Sequence, residues 1–277
     1  MKGVEIVSDN NYDLYLDRTV IDKVSYKEKD LLCILAILLE CAKNQLVYGS
    51  EECIIHCTPS TLWANITQKV KITRTDKKNF IDSINRLITD NVVTVVESNT
   101  TQIKWSTLLK LDTRAIIHDS NRSFICIKGD DLNGVKYKEY SHNTLATILQ
   151  IYVAIVSYFN MDEIRSFDEA IITGKPVLDK GYDLYGTLDY HVSCWASHER
   201  LMTTRHSIDE KGKPWISKPS LIEGLELLQQ LGLICIVSVP GITNHYCFPR
   251  HEKYVIQIAQ MQAKQIAYKK KQKTEEE

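Results

Sequence analysis

Two short stretches concentrate the groups that hold phosphate and read nucleobases. The first contains Lys69, Lys71, Arg74, Thr75, Lys77, Lys78 and Asn79, with Lys104 further on. The second contains Arg205, His206, Lys211, Lys213 and Lys218. Lysine and arginine neutralise phosphates or read guanine, and asparagine can pair with adenine. The formal net charge of the chain is only -1. A general positive field is therefore absent, and any electrostatic binding depends on where these few residues sit.

Other chemistries are poorly supplied. His191, Cys194 and His198 are spaced so that the cysteine and the second histidine share one side of a helix. Cys53, His56 and Cys57 form the other close cluster. Neither set has a fourth ligand, an acidic partner or an oxyanion device. The chain also lacks GxxxxGK[ST], GxGxxG and HExxH. No catalytic residue, no metal and no cofactor is expected, and the eight cysteines read as buried, reduced thiols. Tyr182, Tyr185 and Tyr190 lie close together but without the alternation of an RNA-binding sheet, so packing or an interface is their expected use.

The elements that position the basic residues come from a phrase used twice. TDKKNFIDSINRLITDNVVTV, from residue 75, matches ISKPSLIEGLELLQQLGLICI, from residue 216. Phe80 falls on Leu221, Ile84 on Leu225 and Leu87 on Leu228. This is the apolar face of an amphipathic helix. Asn91 then falls on Gly232, where a helix ends in a left-handed turn, and β-branched residues follow as a strand. Helix, turn and strand form the second half of a winged helix-turn-helix. The expected fold is α+β, with tandem winged helix-turn-helix domains.

Around this phrase the pattern predicts an arm over 1–24, a first domain over 25–115, a second over 120–250 and a C-terminal helix with a charged tail over 251–277. In the first domain, Ser25 and Glu28 form a capping box for a leucine-rich helix over 27–43. A strand over 53–57, a helix opened by Thr58-Pro59 and the helix over 76–89 follow. Strands over 92–96 and 102–111 make the first wing, with its tip at 97–101. Residues 124–128 read as the opening strand of the second domain, followed by a helix over 144–159. Residues 160–192 have no clear periodicity and read as an irregular insertion. Helices over 194–203 and 218–231 and a second wing complete the domain. Both opening helices are apolar enough to pair within the chain or to form a dimer interface.

At 277 residues, with 44% hydrophobic and 25% charged, the chain is long enough for two cores. The longest apolar run, Leu31 to Leu39, is far short of a membrane span. With no apolar targeting segment at the N-terminus, a cytoplasmic protein without membrane contact is expected.

The phrases FIDSINRLITDNVVTVV and LLQQLGLICIV resemble those of plasmid and phage replication initiators built from two winged-helix domains. The resemblance covers most of residues 25–250. It implies binding of double-stranded DNA at directly repeated origin sites, recruitment of host replication proteins, exchange between monomer and homodimer, and no ATP hydrolysis. The chain is less basic than such initiators, and its second recognition-type helix carries Glu223 and Glu226. A winged-helix transcription regulator shares the same phrases. A protein-docking module is the third reading.

Overall fold

A computed structural model describes residues 13–17, 20–21, 29–44, 53–68, 72–97, 102–117, 124–132, 134–174, 192–203 and 214–276. In chain order the elements are β1 (Asp13–Asp17), α1 (Leu31–Lys43), β2 (Ile54–Cys57), α2 (Pro59–Thr67), α3 (Arg74–Thr89), β3 (Thr94–Glu97), β4 (Leu109–Asp112), α4 (Arg114–Ile117) and β5 (Phe124–Lys128). Then come α5 (His142–Val156), α6 (Met161–Ile172), β6 (Ser193–Trp195), α7 (His198–Met202), α8 (Lys218–Gln230), β7 (Cys235–Val237), β8 (His245–Cys247) and α9 (Glu252–Glu276). Helices and small antiparallel sheets make this an α+β chain. It divides into two compact units, Met1–Val153 with Arg205–Trp215, and Ala154–Thr204 with Ile216–Glu277.

In the first unit β2, β4 and β3 form an antiparallel sheet in that order, with Ile55 opposite Leu111. The alternation of β2 turns Cys53, Ile55 and Cys57 inward and Ile54 and His56 outward. Every residue from Leu31 to Leu39 is buried, so the leucine-rich helix is spent within the chain. Thr58 caps α2 with a reciprocal box: its hydroxyl accepts from the Thr61 amide at 3.1 Å, and the Thr61 hydroxyl accepts from the Thr58 amide at 2.9 Å. Beyond α2 the chain at Gly134 passes so close that a Cβ there would lie 2.7 Å from the Ile66 carbonyl oxygen. Only glycine fits that approach. Both Tyr137 and Tyr152 donate their hydroxyls to Asp131.

The repeated phrase closes both long helices with the same turn. Val92 N–H donates to the Leu87 carbonyl at 2.9 Å, and Leu233 N–H donates to the Leu228 carbonyl at 3.0 Å. Asn91 and Gly232 donate to Ile88 and Gln229, with φ of 56° and 67°. Each is a Schellman motif, with its left-handed residue where the two sequences were aligned.

In the second unit the sheet order is β6-β8-β7. Helix α8 buries Leu221, Gly224, Leu225 and Leu228. Asp168 on α6 ties that helix to the start of α9, receiving Arg250 Nη2 at 3.0 Å and His251 Nε2 at 2.7 Å. Burial pushes the Asp168 carboxyl up, but these hydrogen bonds outweigh it and hold it below its usual range.

Several expectations are corrected. Residues 124–128 do form a strand, but it pairs with β1 rather than opening the second sheet. The stretch read as irregular contains α6, capped by Asn160 and burying Ile164, Phe167 and Ala170; Tyr182, Tyr185 and Tyr190 lie outside the described residues. The helix expected from 194 begins only at His198, because Ser197 caps it and residues 193–195 pair with β8. Ser25 and Glu28 lie outside the described residues, and α1 starts at Leu31, after Lys29 at φ 64°. A left-handed residue there interrupts the right-handed helix. Strand pairing over 102–111 is confined to Leu109–Asp112.

Candidate nucleic-acid interface

The outward side of α3 is set by what the helix buries. Phe80, Ser83, Ile84 and Leu87 face the core. Asp76 is also turned in, where its carboxylate accepts from the Thr73 hydroxyl at 2.8 Å and from the His142 amide at 3.1 Å. This removes the one acidic group of the first helical turn from the surface. The side left to solvent runs through Arg74, Thr75, Lys78, Asn85 and Thr89. Its N-terminal end is basic and its remainder is neutral or half-exposed acid at Asp82. The Asp76 carboxylate, in that same first turn, offsets the partial positive charge of the helix N-terminus, so the basic character of this end rests on the side chains of Arg74 and Lys78.

Trp105 ties this face to the β3–β4 connection. Its carbonyl accepts from the Ser60 amide at 3.1 Å, and its ring meets Phe80 edge-on at 6.2 Å. Lys77 is half-buried and leans over Trp105, with Nζ 5.6 Å from the ring. Lys104, next to Trp105, is exposed, and its amide donates to the Thr107 hydroxyl at 2.8 Å. Asn79 is half-buried. Lys69 and Lys71 lie outside the described residues, as do Arg205, Lys211 and Lys213.

Arg86 belongs to the architecture rather than to the open face. Its Nη2 lies 2.6 Å from the buried carboxylate of Asp30 and 3.0 Å from the Ser83 hydroxyl. Trp105 and Asp30 are the contributions that sequence reading missed. The only signal for Trp105 was a tryptophan in a stretch read as strand, and nothing local pairs residues 30 and 86.

In the second unit Lys218 is exposed at the first position of α8, with Ser217 as its cap, and Glu223, Glu226, Gln229 and Gln230 occupy the outer side. Two exposed carboxylates make this a weaker surface for phosphate than α3.

The other clusters do not converge. Cys194 is buried on β6, and burial raises its thiol to about 12, while His198 starts α7. Strand and cap therefore replace the shared helical side expected for this pair, and His191 lies outside the described residues. Cys57 points into the core with its thiol pushed to about 12 by burial, and His56 faces the other way. Among the described residues no group of three His, Cys, Asp or Glu is arranged to hold a metal. No single described helix is long and apolar enough to cross a membrane. Comparisons with protein-family models, curated proteins and solved structures gave no match to this chain.

Proposed function

We propose that the chain is a sequence-specific double-stranded DNA-binding protein with two winged-helix units, acting as a replication initiator of the plasmid or phage type. The observation that carries this is the basic N-terminal end of α3, with Arg74 and Lys78 open to solvent and Lys77 over the ring of Trp105. In a helix-turn-helix that end of the second helix meets the base edges. The order helix, strand, helix, helix, strand, strand occurs in each unit, with the first strand beside the last, and supports the winged-helix assignment. In the initiator reading the protein binds repeated origin sites and recruits host replication proteins. A homodimer would have to use surfaces other than the buried faces of α1 and α5.

The exposed Glu223 and Glu226 on α8 favour a second reading for that unit, in which it docks a protein while the first unit holds DNA. Selection from random duplex oligonucleotides tests the main proposal. A selected site is expected to bind about a thousandfold more tightly than random duplex. Each phosphate contact removed by substitution should lower the slope of log affinity against log salt by about 0.9. If no sequence is enriched and every duplex binds alike, the initiator and regulator readings both fail. A repeat array beside the gene favours the initiator over a transcription regulator.

A further inference from the structure

We propose that the second unit carries a separate site for single-stranded DNA, in the groove between α9, the β7–β8 turn and the Trp195 end of β6. The groove is shallow and open, with a volume of about 660 Å³, and Trp195, Ile242, Gln262, Gln265 and Lys269 supply its chemistry.

Its aromatic wall is fixed from behind. In the sheet order β6-β8-β7, β6 is an edge strand, and α9 packs on β7 and β8. Trp195, on β6, is left 53% exposed. Opposite it in the ladder stands buried His245, whose ring meets the indole at 6.0 Å and 69°. The His245 ring is itself held at both nitrogens, by the Ser193 hydroxyl at 3.1 Å and by Gln262 Oε1 at 3.1 Å. An amide oxygen only accepts, so Nε2 carries the proton and Nδ1 accepts from Ser193. Gln262 is thereby oriented with its oxygen toward the histidine, and its NH₂ remains for a ligand. The histidine is a support for both groove walls.

The charge of α9 selects the occupant, with Lys269 as the one lysine of that helix lining the groove. Between Glu252 and Glu275 helix α9 contains no acidic residue, but it carries Lys253, Lys264, Lys269, Lys270, Lys271 and Lys273. A polyanion is drawn to such a helix. An exposed indole beside donor amides then adds what a nucleobase needs, a stacking face and edge partners, with Lys269 placed for the phosphate. An acidic peptide would use the lysines but would not call for the indole. The choice of DNA over RNA rests on the duplex-binding reading of the first unit.

The test is anisotropy of a labelled oligothymidylate of about twenty nucleotides, titrated with the full chain at low salt. Trp195→Ala is expected to weaken binding about five- to hundredfold, and Trp195→Phe, which keeps a stacking ring, by less than about threefold. Lys269→Glu should also weaken it and flatten the salt dependence. Duplex affinity, measured in parallel on the selected site, should not change in any of these variants, so a failed duplex reading and a failed groove are told apart. Circular dichroism confirms that each variant is folded. The proposal is overturned if the wild-type chain does not bind the oligonucleotide. It is also overturned if an abasic oligomer binds equally well, if folded Trp195→Ala binds like wild type, or if polyglutamate displaces the strand as well as oligothymidylate does. Preference for oligouridylate would likewise overturn it in favour of an RNA site.

Discussion

Arg86 holds Asp30 with a two-pronged grip, Nε at 3.1 Å from both carboxylate oxygens and Nη2 at 2.6 Å from one. The Asp30 carbonyl accepts from the first amides of α1, at Cys33 and Ile34, so the pair fastens the C-terminal half of α3 to the start of α1. The aspartate side chain is 2% exposed and the arginine 33%. Removing one partner of a fully buried pair costs about 3–5 kcal/mol, and the partial exposure of Arg86 places Arg86→Ala at about the lower end. Arg86→Lys should recover little of this, since an ammonium cannot reproduce the fork. Urea unfolding measures both. Loss of duplex affinity in a stable Arg86 variant would show that this residue touches DNA after all.

The basic end of α3 behaves differently. A variant with Arg74→Ala, Lys77→Ala and Lys78→Ala should lose specific duplex binding with little loss of stability. Arg74 and Lys78 are exposed, and such substitutions each move stability by less than about 0.5 kcal/mol. Lys77 adds the loss of its contact with Trp105, about 0.5–1 kcal/mol at a surface site. Gel-shift titration with a thermal melt separates the two effects. Unchanged affinity in this variant would mean that the face meets solvent or protein rather than DNA.

The helix ends were the most legible part of the sequence, because their chemistry is local. Thr58-Pro59, Asn91 and Gly232 each fix backbone geometry within a few residues, and each marks the turn or cap expected of it. Long-range pairing was not legible. Residues 124–128 have strand composition whichever sheet they join, and only the register with Asp13–Asp17 assigns them. Helix α6 was legible but missed: Ile164, Phe167, Ala170 and Ile171 recur at helical spacing behind the Asn160 cap, and only the stretch after Gly174 lacks that pattern. In the candidate interface the residue types on α3 were readable, but the orientation of each was not. Asp76 and Arg86 are drawn inward by His142 and Asp30, partners that are distant in sequence.

The paired turns allow a comparison within one molecule. Nothing lies within 4 Å of a Cβ added at Gly232, so Gly232→Ala should cost only the left-handed backbone penalty, about 1–2 kcal/mol. Asn91, at φ 56°, already tolerates part of that penalty, and Asn91→Gly is expected to leave stability within about 0.5 kcal/mol of wild type. Asn91→Val should be clearly destabilising, because a β-branched side chain is poorly accommodated there. If Asn91→Val unfolds at the wild-type urea midpoint, the left-handed turn is not what closes α3.

Acid should weaken the fold through histidines that are buried in their neutral form. Burial is the main cause that lowers the pKa of His142, His245 and His251 below 6.5. For such a group the unfolded chain takes up its proton first as pH falls, so stability is fully present above about 6.5 and declines below it. The steepest contribution of each histidine is about 1.4 kcal/mol per pH unit, ending once pH passes below its folded-state pKa. Asp168, held below 3.8, adds its own loss at lower pH. His142 gives the cleanest test. Its ring is buried and stacks on Trp63 at 6.1 Å and 14°. Asn143 and, less strongly, Asp76 favour its charged form, whereas Lys29 and Arg86 oppose it, and these effects are smaller than burial. His142→Leu removes the titrating ring and leaves the backbone amide that binds Asp76. The variant should lose stability less steeply than wild type between about pH 7 and pH 5. Urea midpoints at several pH values decide this, and parallel pH profiles for the two proteins would mean that His142 is hydrated or charged in the folded state.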